Sequence, residues 1–125
     1  MKKIINLITF TFLILFSSVK AEIKIVSTYP YIASITKEIV RDKAQVDHLS
    51  TGNLDPHFVV PKPSLNVKLR NADLLIINGA GFEVGWLPPL LNQANNGKIN
   101  PGSEGFLDLS QFINLIQKSE NVSRA

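Results

Sequence analysis

Cysteine is absent from all 125 residues. Without it there is no disulfide to hold a small fold and no thiolate to bind a soft metal, so stability has to come from a packed core. Histidine is scarce, with His48 and His57 the only two. Nucleotide motifs are missing as well. Gly79-Ala80-Gly81 lacks the third glycine of the dinucleotide fingerprint and the Gly-Lys-Ser/Thr of a P-loop, so its glycines are expected simply to permit a tight turn. There is no Gly-x-Ser-x-Gly and no defensible set of serine, histidine and aspartate. Catalysis therefore has no candidate pair, and a role other than an enzyme's is expected.

Charge excludes a further class. The chain has 13 Lys+Arg against 10 Asp+Glu, but Lys2, Lys3 and Lys20 all lie near the N-terminus, and the remainder is formally neutral. No basic cluster with interleaved aromatics is left, so no nucleic-acid partner is expected. Residues 1–21 read as a signal peptide. Lys2 and Lys3 precede a mostly apolar run from Ile4 to Phe16, and Ser17-Ser18-Val19-Lys20-Ala21 places cleavage after Ala21. The run is too short and too interrupted for a comfortable membrane span. With no cysteine at the cleavage site to carry a lipid, the exported protein is expected to be soluble, which in a bacterium means the periplasm.

Residues 22–125 suffice for one small domain with a modest core. Ile23 to Ser27 is β-branched and alternating and reads as a strand. Tyr31 to Arg41 reads as an amphipathic helix, with Ile32, Ile35, Ile39 and Val40 at helical spacing. Gln45 to Leu49 is a second strand. Pro63 to Ala72 is a helix with Leu65, Leu69 and Ala72 on one face, and the apolar run Leu74 to Asn78 reads as a buried strand. Trp86 to Ala94 is the next helix, ended by Asn95-Asn96-Gly97. A weak strand region is expected around Lys98–Asn100 and Gly105–Leu109. Gln111 to Lys118 would make a last short helix with Phe112, Leu115 and Ile116 inward. This alternation specifies an α/β fold, a parallel sheet flanked by helices, with ligands outside the carboxyl ends of its strands.

Gly52 to Ser64 is the distinctive stretch. Pro56 and Pro61 flank His57 and narrow the backbone around it, which suits a side chain that has to be aimed. A neutral imidazole on such a loop can ligate a transition metal. Asp55 either closes the turn, the ordinary role of Asp before Pro, or accepts a hydrogen bond from the His57 ring. The turn is favoured. His48, in alternating Val46-Asp47-His48-Leu49, is expected at an exposed strand position. Glu83, ahead of a helix, is expected to serve the helix dipole, with metal ligation the alternative. Trp86 is expected to pack against the loop.

Three segments in order carry a resemblance. They are Ile23 to Pro30 after the leader; Asp55-Pro56-His57 with Pro61-Lys62-Pro63-Ser64; and Ala72 to Glu83 leading to Trp86-Leu87. Together they resemble the metal-receptor proteins of bacterial ABC-type zinc and manganese uptake systems. The resemblance implies a receptor of two α/β lobes with the metal in the cleft between them. It also implies that His57 is the first metal ligand and that an ABC-type membrane permease is the partner. The remaining ligands of Zn2+ or Mn2+ are absent from this chain, which has no histidine after His57. Residues 22–125 are therefore expected to be a partial N-terminal lobe, monomeric, and a weak binder alone. Two other readings stay open. One is a free-standing exported α/β domain acting through a protein partner. The other is a small metallohydrolase, which would need a second ligand cluster and a general base.

Overall fold

A computed structural model describes residues 22–53 and 55–114. The signal-peptide assignment, Leu115 and Ile116 lie outside these residues. Four parallel strands form one sheet: β1 (Ile23–Ser27), β2 (Ala44–His48), β3 (Leu74–Ile77) and β4 (Phe106–Asp108), in the order β2-β1-β3-β4. Helices α1 (Pro30–Val40), α2 (Pro63–Arg70) and α3 (Leu87–Ala94) make the crossovers. The step from β1 to β2 runs one way across the sheet, and the steps to β3 and β4 run the other. Right-handed crossovers then place α1 on one face and α2 with α3 on the opposite face. The expected parallel α/β layer is the observed one.

Each of these helices has proline in its first turn, where the fixed φ fits and the missing N–H costs nothing. Asn96 closes α2, its amide donating to the carbonyls of Leu69 and Ala72 at 2.9 and 2.8 Å. Leu69, Leu75, Leu90 and Ile99 are wholly buried, and Leu65 and Ala72 are buried as expected.

Three expectations fail. On α1, Ile32, Ala33 and Thr36 face the sheet, while Ile35 and Ile39 are 62% and 75% exposed. The helix approaches β1 and β2 through its small residues, and the two isoleucines flank an open groove beside β3 and β4. Gly97–Ile99 is a 3₁₀ turn instead of a strand, because Asn96 accepts the Lys98 N–H and starts a turn. The 3₁₀ turn Leu109–Phe112 overlaps the start of the helix expected over Gln111–Lys118, and its Phe112 is 74% exposed, not inward.

Candidate metal site

The strand order reverses between β1 and β3, and crevices at such a point are where open α/β sheets hold ligands. The loops after β2 and β3 meet there. The His57 ring, from the first loop, stacks on the Phe82 ring, from the second, with centroids 5.1 Å apart and planes 16° from parallel.

Asp55 takes both roles open to it, so the preference for a turn alone needs correcting. Its Oδ1 accepts the His57 backbone N–H at 2.9 Å and lies 2.8 Å from His57 Nδ1. An ionised carboxylate only accepts, so Nδ1 carries the proton, and Nε2 is the nitrogen with a lone pair for a cation. A carboxylate behind a histidine is the usual arrangement for orienting a metal ligand and raising its basicity. Both side chains are about half exposed, His57 at 49% and Asp55 at 54%.

The loop is pinned one residue earlier. The Pro56 carbonyl accepts from the Tyr29 hydroxyl at 2.8 Å and from the Trp86 indole N–H at 3.1 Å. Tyr29 and Trp86 are each 3% exposed and meet edge to face. Burial, with the nearby Glu83 charge, pushes the Tyr29 hydroxyl well above the ordinary phenol range and keeps it a donor. Trp86 packs against the loop as expected and also bonds to it. Tyr29→Phe and Trp86→Phe each leave this carbonyl one donor. The double variant should be less stable than the sum of the singles by about 1 kcal/mol, a modest coupling because the carbonyl is half-buried. Urea unfolding of the four proteins checks this, and strict additivity would remove the shared role.

Glu83 lies outside the first turn of α3, and its carboxylate is bonded to two loops instead of serving that helix end. It is 4% exposed. Oε1 accepts from the Thr28 hydroxyl and the Asn78 N–H, both at 2.8 Å, and Oε2 accepts from the Gly79 N–H at 3.1 Å. The carboxylate thus ties the loop after β1 to the loop after β3. Burial raises its pKa, and the hydrogen bonds only partly oppose this. The folded chain then holds this proton more tightly than the unfolded one. Stability contributed by the protonated form is present at low pH and is lost as pH rises from the ordinary glutamate range through the raised value. Glu83→Gln should flatten that part of the stability–pH curve, although its amide opposes the Gly79 N–H and lowers stability at every pH. An unchanged slope would assign the dependence to another group.

His48 lies half-buried at the end of β2, not at an exposed position, with Nδ1 2.7 Å from the Ser50 carbonyl. Among the described residues no three His, Asp or Glu side chains converge as a metal cage. A zinc site needs about four donors, so His57 can be one member of a set and not the whole of it.

A family described as ZnuA, zinc-uptake complex component A periplasmic, matches residues 25–122. A metal ABC transporter substrate-binding lipoprotein, SsaB, of Streptococcus sanguinis is 37% identical over 82 residues, which is 63% of this chain and 26% of that protein. The high-affinity zinc uptake system protein ZnuA of Bacillus subtilis (strain 168) is 29% identical over 99 residues, 79% of this chain and 29% of the relative. The chain thus spans little more than a quarter of the length of these relatives. Among solved structures, a Mn-bound periplasmic metal binding protein from Candidatus Liberibacter asiaticus superposes with TM-score 0.62 at 25% identity. That match covers 79% of this chain and 35% of the other. The match across nearly all of the sheet and its crossovers decides the question, and the chain belongs to the ZnuA family of periplasmic zinc-uptake components.

Proposed function

We propose that the chain is the N-terminal lobe of a substrate-binding protein for an ABC-type metal uptake system. It captures zinc or manganese outside the cytoplasm as a monomer, for delivery to a membrane permease, and residues 1–21 direct its export. His57 Nε2 is the ligand this lobe supplies, and the other donors come from beyond the described residues. One observation carries the reading: a histidine on the carboxyl edge, at the sheet's switch point, with Nδ1 bonded to a carboxylate. The names of the relatives support it, some given for zinc and some for manganese.

The test joins residues 22–114 to the portion of the Bacillus subtilis relative that follows the match, and titrates the joined protein with zinc and with manganese. Saturable binding of one ion is expected. A folded joined protein that binds neither metal would overturn the proposal.

A further inference from the structure

We propose that Phe82 is a positioning residue that fixes the plane of the His57 ring and so the direction in which Nε2 faces. This rests on the reading of His57 as a metal ligand.

A hydrogen bond at one ring edge does not by itself hold an imidazole plane. The bond from Nδ1 to Asp55 Oδ1 fixes one edge of the ring, but the outer torsion of a histidine is broad and allows rocking about that edge. The side chain is 49% exposed, so a close-packed core does not clamp the ring on all sides. Phe82 braces one face, lying nearly parallel at 5.1 Å, within the range of offset aromatic stacking.

The backbone behind Phe82 is built to deliver that ring. Gly79, Ala80 and Gly81 have φ of 78°, 53° and 88°, three left-handed residues in succession. Ala80 is strained there, since its Cβ disfavours the region, and such strain persists only where the surroundings hold it. They do so here: Glu83 accepts the Asn78 and Gly79 N–H groups, and the Phe82 N–H returns to the Gly79 carbonyl at 3.2 Å. Phe82 is itself half-buried against the core, so its ring is a braced wall for His57.

Two variants separate stacking from space filling. Phe82→Leu keeps apolar bulk and loses the aromatic face, whereas Phe82→Tyr keeps the face. The readout is NMR of the His57 ring protons, first in the full chain without metal and then in the joined receptor on titration with zinc ions alone. The amide signals of β1 to β4 report that each variant is folded. In the wild-type chain the ring protons should sit upfield, shifted by the Phe82 ring current. Phe82→Leu should lose that shift and require about three- to tenfold more zinc for the same response, the worth of one aromatic pair. Phe82→Tyr should restore both. An unchanged upfield shift in Phe82→Leu overturns the positioning role, whatever zinc does. A lost shift with no zinc response in any of the joined receptors, wild type included, leaves the stack in place and overturns the metal reading beneath it.

Discussion

Replacing His57 by alanine in the joined receptor is expected to lower zinc affinity by more than about a hundredfold. Groups that only orient a ligand already cost about 10–100-fold when removed, and His57 is assigned as a ligand itself. Asp55→Ala should fall within that lower range. It leaves the imidazole in place but removes the acceptor of both Nδ1–H and the His57 backbone N–H. His48→Ala is the control and should leave affinity unchanged, because the half-buried His48 at the end of β2 is not part of the proposed ligand set. Competition against a chelating dye ranks the three. Wild-type affinity in His57→Ala would remove the histidine from the site.

The second large effect is on folding. Gly79→Ala should destabilise the full chain by about 2–4 kcal/mol, from left-handed strain together with overpacking. Gly79 has φ of 78°, and an added Cβ would run into the Asp108 carboxylate and sit 2.5 Å from the Ser110 hydroxyl. Both groups are bonded to each other at 2.7 Å, so yielding to the methyl would break that contact too. Gly97→Ala is the control, because its Cβ would meet nothing within 4 Å. That change should stay within about 0.5 kcal/mol. Urea midpoints measure both, and equal midpoints would contradict the packing described around β4.

Much of this architecture is written locally. β1 and β3 announce themselves through β-branched and apolar runs, and proline marks the start of every helix, so their bounds were readable to within a residue or two. Burial along α1 was not. A helical stripe identifies the apolar side, but only the neighbours decide which part of it meets the sheet, and here Ala33 and Thr36 displaced Ile35 and Ile39. The site divides in the same way. His57 stood out because its prolines are neighbours in sequence. The Glu83 bond to Thr28 spans 55 residues, and the Tyr29 and Trp86 bonds to Pro56 span 27 and 30. Nothing local announces contacts of that kind. Both uses of Asp55 were legible as alternatives, but not that they coexist, since that depends on a ring orientation that only the folded loop shows.

In the proposed site His57 presents Nε2 to a metal while Asp55 holds Nδ1. Long-range nitrogen–proton NMR of the ring, with and without zinc, addresses both nitrogens in one spectrum. In the joined receptor the His57 Nε2 resonance should move on adding zinc while Nδ1 keeps its proton-bearing position, and the His48 ring should be unaffected. Movement at Nδ1, or a zinc response at His48 with His57 silent, would contradict it.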